Sequence, residues 1–204
     1  MIFQNIVIDE KLQVVISLEE KLTRLKEGGF DNLFTKEQLV LSKKINRLDK
    51  ELNFQRRVNH GLNTLKNSIQ EVFIDETYKI FDNEGYIKAR EYLKINNNHS
   101  SNETIDKRSK KQAKILFFEA KMSLSERNYE DAETLYIHAL SLYESVSNLF
   151  EVGYFFQRYR KNYTKAILYY EEALVLSKEN PHKYKANVEM ILNNLANLHA
   201  KDKT

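Results

Sequence analysis

Apolar residues recur in the N-terminal third of the chain at intervals typical of an α-helix. The intervals are three, four and three residues among Val15, Leu18, Leu22 and Leu25, which places these side chains on one helix face. The glycine pair Gly28-Gly29 follows the segment and predicts the end of the helix. The pattern therefore indicates one amphipathic helix that stops before residue 30.

A second, longer helix is predicted to begin near Thr35, a residue type that caps helix N-termini, and to run toward Phe81 without a proline. Its apolar track has heptad-like spacing but contains the polar residues Gln55 and Asn59. Polar residues on such an apolar track either fix the register and the number of helices in a coiled coil, or mark where the track faces solvent. We therefore predict a helical hairpin or coiled coil over residues 1–70, with a homodimer through its exposed apolar edge as an open alternative.

Two stretches of fifteen residues have nearly the same pattern. Asn128–Leu142 reads NYEDAETLYIHALSL, and Asn162–Leu176 reads NYTKAILYYEEALVL, 34 positions later and without a gap. Ala132 and Ala139 lie two turns apart on one helix face, where small side chains allow a neighbouring helix to approach closely. The asparagine that opens each stretch is suited to cap the helix that follows. The duplication predicts two stacked helical hairpins with a 34-residue period.

The duplicated pattern resembles the second helix of a tetratricopeptide repeat. Ala120 takes the small-residue place of the first helix in the first repeat, and Gly153 takes it in the second. Gly153 lies one residue further from the tyrosine of its repeat than Ala120 does, so we predict a one-residue insertion in the turn FFQRYRKNY. The resemblance implies an all-α fold in which a right-handed α-α superhelix of such hairpins follows the N-terminal hairpin.

Weaker repeats are predicted on both sides. The segment from Leu192 to His199 resembles the first helix of the longer repeats of kinesin light chains and bacterial multi-repeat proteins. Eight extra residues around Ser177–Tyr184 predict a longer second helix and a loop marked by Pro181. A degenerate helix-turn-helix unit precedes the polar segment Asn96–Ser109, which is predicted to be a loop. The second domain is thus residues 71–204, divided into a degenerate unit 71–96, full units 113–145 and 147–179, and a partial unit 186–204.

The composition of the chain favours a helical protein and excludes several kinds of site. The chain has 204 residues with only 5 glycines and 1 proline, which favours helices throughout. It has no cysteine, so disulfides, thiolate metal sites and cysteine nucleophiles are excluded. The start of the chain lacks a basic segment and a long apolar segment, and no apolar run is long enough for a membrane helix. We expect a cytoplasmic protein without a membrane partner.

The sequence shows no arrangement of residues that indicates catalysis. None of the 5 histidines has a histidine or an acid at a metal-binding helical spacing that repeats, and neither a phosphate-binding glycine loop nor a nucleophile elbow occurs. We therefore predict a protein that is not an enzyme and binds no cofactor or metal.

Two clusters of basic residues are of a kind that can bind nucleic acid. Lys107–Lys111, with Lys114 beyond it, leads into the first full repeat, and Arg158–Tyr163 interleaves basic and aromatic residues. The 32 basic and 29 acidic residues nearly balance. We interpret the first cluster as a solvated helix start and the second as a polar repeat turn, so a nucleic-acid partner is not expected.

The resemblance also implies where a partner would bind. First helices line the inner face of a tetratricopeptide stack, and asparagines there hold a peptide backbone in related repeats. The candidate partner-binding residues on that face are Phe117, Lys121, Glu151, Tyr154, Arg158, Asn193, Asn194 and Asn197. The predicted function is a scaffold that binds a peptide or protein segment, and the alternative is a self-assembly module that dimerises through its N-terminal helices.

Overall fold

The computed structural model describes residues 2–27, 33–69, 71–97 and 104–201. Every regular element within these ranges is a helix, so the all-α prediction is confirmed for the described chain. The predicted helix stop at Gly28-Gly29 lies outside the described residues.

The described residues form nine α-helices, of which α7 continues directly into a π-helical turn. In chain order they are α1 (Ile2–Glu27), α2 (Leu33–Ile69), α3 (Val72–Glu84), α4 (Tyr86–Asn96), α5 (Ile105–Ser125), α6 (Tyr129–Leu142), α7 (Val146–Phe155), the π-helical turn (Phe156–Arg160), α8 (Tyr163–Ser177) and α9 (Lys185–Lys201). They belong to two compact units, an N-terminal unit of residues 1–98 and a C-terminal unit of residues 99–204. The domain boundary predicted between residues 70 and 71 falls inside the N-terminal unit and stays a prediction.

In the N-terminal unit, α1 packs against α2 as the predicted hairpin, and α3 contacts both helices. The predicted continuous helix toward Phe81 is wrong, because α2 ends at Ile69 and α3 begins at Val72. Thr35 is not the helix cap either, since α2 begins at Leu33.

The turn between α3 and α4 depends on Gly85, whose φ of +88° lies in the region that favours glycine. Beyond it, Ala89 and Leu93 are buried. The degenerate unit is therefore a helix, a turn and a short helix, as predicted. By contrast, the segment predicted as a loop up to Ser109 is helical from Ile105, where α5 begins.

The two duplicated stretches form equivalent helices with equivalent starts. The Asn128 side chain accepts a hydrogen bond from the Asp131 amide at 3.3 Å, and that of Asn162 accepts one from the Lys165 amide at 3.0 Å. The predicted asparagine caps are thus confirmed. Each cap follows a residue in the left-handed conformation, Arg127 or Lys161, and these residues are also 34 positions apart.

The predicted one-residue insertion is confirmed as the π-helical turn. In the first repeat, the Asn128 amide donates to the Ser123 carbonyl, five residues earlier. In the second, the Asn162 amide donates to the Phe156 carbonyl, six residues earlier. A π-helical turn accommodates one extra residue within a helix, so the second repeat regains its register before α8 begins.

The repeated alanines and tyrosines form the packing core of each hairpin. Ala132, Ala139, Ala166 and Ala173 are fully buried, and so are Tyr136 and Tyr170. Gly153 is required for this packing, because a Cβ atom there would lie 2.8 Å from two carbons of the Tyr170 ring. Burial of a ring of this size contributes about 2–3 kcal/mol.

The helix α9 packs on both α7 and α8 through Ile191, Leu195 and Leu198. The predicted lengthening of the second helix amounts to one residue, because α8 has 15 residues and α6 has 14. The extra residues instead form the turns over 178–184, which include Pro181. Helix α9 is therefore reached mainly through a longer connection.

Candidate partner-binding surface

Seven of the eight predicted site residues have at least partly accessible side chains in the C-terminal unit. Helices α7 and α9 are in contact, and an ion pair joins Lys121 on α5 to Glu151 on α7. The structure therefore brings three segments together that lie up to 76 residues apart in the sequence, from Lys121 to Asn197. We call the accessible side of α5, α7 and α9 the first-helix face.

The ion pair between Lys121 and Glu151 fixes the α5 edge of this face. The side chains are 12 % and 33 % exposed, respectively, so water screens them only in part. A charged group that loses water needs an opposite charge or a hydrogen bond in return. Each member is therefore committed mainly to the other, and the pair positions α5 against α7.

Phe117 lies in the core and not on the surface. Its side chain is 3 % exposed, and its ring centroid lies 5.2 Å from that of Tyr136. The resemblance had placed it on the inner face together with Lys121, four residues later, but α6 covers it. We therefore leave Phe117 out of the binding surface proposed below.

Tyr154 lies at the centre of the first-helix face and is half-buried. Its ring stacks on Phe150 at a centroid distance of 6.5 Å and meets the edge of Tyr159 at 6.2 Å. These rings support one another and hold Tyr154 in one orientation. Phe150 was not among the predicted site residues, although it lies one residue before Glu151.

A hydrogen-bonded chain joins α8, the π-helical turn and α9. The Tyr170 hydroxyl donates to Gln157 Oε1 at 2.6 Å and accepts from Asn194 Nδ2 at 3.2 Å. Burial raises the pKa of Tyr170, as do Tyr154 and Glu151, while the bond from Asn194 lowers it. Tyr170 therefore stays protonated and able to donate. Gln157 lies in the inserted turn and was not foreseen.

Tyr136, the equivalent tyrosine in the first repeat, has no such partners. Its hydroxyl is buried and makes no hydrogen bond within the described part of the chain. Burial raises its pKa well above the ordinary tyrosine value, and the charge of Glu151 raises it further. The carboxylate that raises this pKa is thus the same one that pairs with Lys121.

Three of the predicted site residues are polar and exposed, namely Arg158 in the π-helical turn and Asn193 and Asn197 on α9. The two asparagines lie four residues apart, so both side chains project from one side of α9. Asn194 is half-buried and bonds to Tyr170, as described above. Asn193 and Asn197 can therefore offer amide groups to a partner, while Asn194 serves to position α9.

The basic and aromatic cluster at the π-helical turn is engaged within the protein. Arg160 Nε lies 2.7 Å from the Glu133 carboxylate, and Lys165 Nζ lies 3.0 Å from the same group. The Tyr159 ring stacks on Tyr129 at 6.0 Å. These contacts agree with the interpretation of this cluster as a polar turn between two helices of the repeat.

In the stretch of α5 from Ala113 to Leu124, the accessible surface is formed by two lysines. From Ala113 to Leu124, every residue is buried except Lys114 and Lys121. These two lie seven residues apart and so share one helix face. Burial lowers the pKa of Lys114, and the neighbouring charge of Lys110 lowers it further. Lys114 was noted in the sequence only as part of a basic cluster.

Two cavities lie outside this face. One, of about 530 Å³, lies between α8 and α9 and is lined mainly by apolar atoms, including those of Leu174, Val188 and Leu192. The other, of about 440 Å³, lies in the N-terminal unit beside Lys66 and Asp75. Within the described ranges, no group of three or more His, Asp or Glu side chains could hold a metal ion.

None of the helices in the described chain combines the length and the apolar character that a membrane-spanning helix requires. Comparison of the chain with protein-family models, curated proteins and solved structures gave no significant match. The first-helix face is therefore interpreted from its own geometry and chemistry.

Proposed function

We propose that the C-terminal unit is a protein-interaction module of the tetratricopeptide type, which binds a peptide or protein segment on its first-helix face. The proposal includes no catalytic step and no cofactor. It is carried by one observation: α5, α7 and α9, far apart in sequence, present a rigid polar face with exposed amide groups. Lys121–Glu151 and Tyr170–Asn194 hold that face in place.

The binding mechanism follows from the side chains that remain accessible. Asn193 and Asn197 provide amide donors and acceptors that match the backbone groups of an extended segment. Tyr154 offers an apolar ring that its neighbours already hold in place, so little conformational entropy is lost on binding. Arg158 is exposed and can pair with an acidic side chain of the partner. In a superhelical stack of such repeats, this face would be the concave one.

A pull-down of the native partner tests the proposal. The full chain would be compared with an Asn193→Ala/Asn197→Ala variant and with an Asn46→Ala/Asn53→Ala variant as control. The control removes two exposed helical asparagines from α2 in the N-terminal unit. We expect at least about fivefold lower partner recovery for the first variant, since each lost hydrogen bond costs about 1 kcal/mol.

The control variant should recover the partner within about twofold of the wild type. Equal recovery by both variants, with unchanged thermal unfolding, would contradict the assignment of the first-helix face. The alternative of a self-assembly module that dimerises through the N-terminal helices stays a prediction, which the molar mass of the full chain in solution would decide.

A further inference from the structure

We propose that two copies of this chain form a dimer through α9, in which Leu192 of one copy packs against Ala196 of the other. The two helices run antiparallel and are related by a two-fold axis. The dimer joins two first-helix faces, so a partner with two docking segments binds more tightly than it would to one chain. The contact uses a different side of α9 from Asn197, and so goes beyond the proposed function.

The three first helices share one packing signature, a leucine followed four residues later by a small residue. Residues four apart lie on one side of a helix, so each pair marks a side suited to close packing against another helix. The pairs are Leu116 and Ala120 on α5, Leu149 and Gly153 on α7, and Leu192 and Ala196 on α9.

The first two pairs are covered by a second helix, and the third pair is not. Helix α6 packs along α5, and α8 packs along α7. In these two hairpins the leucines of the signature are at most 7 % exposed, and both small residues are buried. Leu192 is 51 % exposed, and Ala196 is exposed as well. Among the residues that the structure describes, α9 therefore carries the signature but no helix covers it.

An antiparallel copy of α9 complements this signature. In the second hairpin, the small residue Gly153 on α7 lies against the large Tyr170 ring on α8. Two antiparallel α9 helices repeat this match of small with large, because the order of Leu192 and Ala196 is reversed in the second copy. Each leucine then lies opposite an alanine, which is the reciprocal pairing that a two-fold contact requires.

The polar residues beside the signature also match in this arrangement. Glu189 lies three residues before Leu192, and His199 lies three residues after Ala196, so the two face each other across the axis. Both side chains are exposed, and an imidazole N–H can donate a hydrogen bond to a carboxylate. A parallel copy would instead place Glu189 against Glu189, where like charges repel. The charge pattern therefore favours the antiparallel dimer.

The cavity between α8 and α9 enlarges the apolar surface beside Leu192. It measures about 530 Å³, and its lining includes Val188 on α9 and Leu174 on α8. The antiparallel register places the end of the second copy's α9 near Val188, so the second copy covers this cavity. Burial of these apolar side chains supplies the driving force. The contact is small for a permanent dimer, so we expect reversible association.

Sedimentation velocity of the full chain over a range of concentrations tests the dimer. The test variant is Ala196→Glu, which places a carboxylate opposite Leu192 of the second copy. The control is Ala186→Glu, which adds the same charge at another exposed alanine of α9, about 120° from Leu192 around the helix. Since both alanines are exposed, both variants should fold and unfold thermally as the wild type does.

We expect the mass of the wild type to rise toward that of two chains with concentration. The Kd of the dimer should increase at least about tenfold in Ala196→Glu, and less than about twofold in Ala186→Glu. A wild type that stays monomeric would overturn the proposal. Equal weakening by both variants would overturn it too, and an equally strong dimer in all three proteins would place the contact elsewhere, such as on the N-terminal helices.

Single cysteines test the register, since the chain has none of its own. Leu192→Cys and Ala196→Cys would be mixed under oxidising conditions and compared with each variant alone. We expect disulfide-linked dimers to form at least about fivefold faster in the mixture, because only residues opposite each other lie within the span of a disulfide. Equal rates, or faster cross-linking in one variant alone, would contradict the antiparallel contact. Neither experiment involves Asn193 or Asn197, so failure of the dimer leaves the proposed function intact.

Discussion

The two full repeats place a tyrosine at the same point of the same helix, yet the two hydroxyl groups have opposite surroundings. Tyr170 donates to Gln157 and accepts from Asn194, whereas Tyr136 has no hydrogen-bond partner within the described residues. Both rings are fully buried. The repeat therefore preserves how the ring packs, but not what its polar end contacts.

The difference arises on the neighbouring first helix. Asn194 lies two residues before Ala196, and Glu151 lies two residues before Gly153, so the two occupy equivalent places. Asn194 bonds to its tyrosine, but Glu151 pairs with Lys121 instead. Asn194 thus joins α9 to α8, and Glu151 joins α7 to α5. Side chains at non-repeating positions determine what each repeat does.

The largest expected effect concerns the close contact that only the second repeat has. Gly153→Ala places a methyl group 2.8 Å from the Tyr170 ring and 3.3 Å from the Ala166 carbonyl, where neither can yield freely. We expect the free energy of unfolding to fall by about 2 kcal/mol through overpacking, despite the better helix propensity of alanine. Urea unfolding measures the change.

Ala120→Gly is the matched control for this substitution, because Ala120 holds the equivalent place in the first repeat. It should cost about 2 kcal/mol, through helix propensity and the loss of a buried methyl group, and without any overpacking. A stabilised Gly153→Ala protein would show that the tight contact is not a constraint, and the two repeats would then differ less than the structure indicates.

Removal of the tyrosine hydroxyl should change the free energy of unfolding differently in the two repeats. Tyr170→Phe leaves the Gln157 and Asn194 amides without their common partner, so we expect a loss of about 1 kcal/mol. Tyr136→Phe removes a buried hydroxyl that has no hydrogen-bond partner in the described part of the chain, and should be neutral or slightly stabilising. Urea unfolding of both variants tests this. Equal losses would mean that the Tyr136 hydroxyl is satisfied in solution.

The smallest expected effect is a loss of stability at alkaline pH that depends on Tyr136. Burial raises the pKa of Tyr136 in the folded protein above the ordinary value of 10.0. The unfolded chain therefore releases this proton first, so the contribution to stability is complete below pH 10 and is lost as the pH rises further. For one such tyrosine the loss is roughly 0.8 kcal/mol by pH 10.5.

Unfolding measured at pH 8 and at pH 10.5 checks this prediction. The loss of stability between the two pH values should be smaller in Tyr136→Phe than in the wild type, by about the contribution of that one group. An identical pH dependence in both proteins would contradict the raised pKa.

Local patterns were sufficient to predict much of the C-terminal unit. The asparagine caps, the alanine contacts and the one-residue insertion all depend on residues close in sequence, and all three are confirmed. The break between Ile69 and Val72 was missed, because neither a proline nor a glycine marks it. Similarly, the helical start of α5 was hidden by a polar composition that resembles a loop.

The candidate surface was predictable only in outline. The resemblance placed Lys121, Glu151, Tyr154 and the asparagines of α9 on the face lined by first helices, and the structure leaves them at least partly accessible. The resemblance also placed Phe117 there, although α6 buries it. Whether a side chain on one side of a helix faces solvent or a second helix depends on partners that the helix period does not specify.

The sequence by itself determined the helical class of this protein, the positions of its repeated second helices and the small residues that let them pack. These depend on helix period, capping and side-chain volume, which act over a few residues. Only the tertiary structure decided that Glu151 pairs with Lys121, that Tyr170 has Gln157 and Asn194 as partners, and that the Tyr136 hydroxyl has no hydrogen-bond partner among the described residues. Those outcomes require atoms from different helices to meet within about 3 Å, a distance that sequence spacing does not encode.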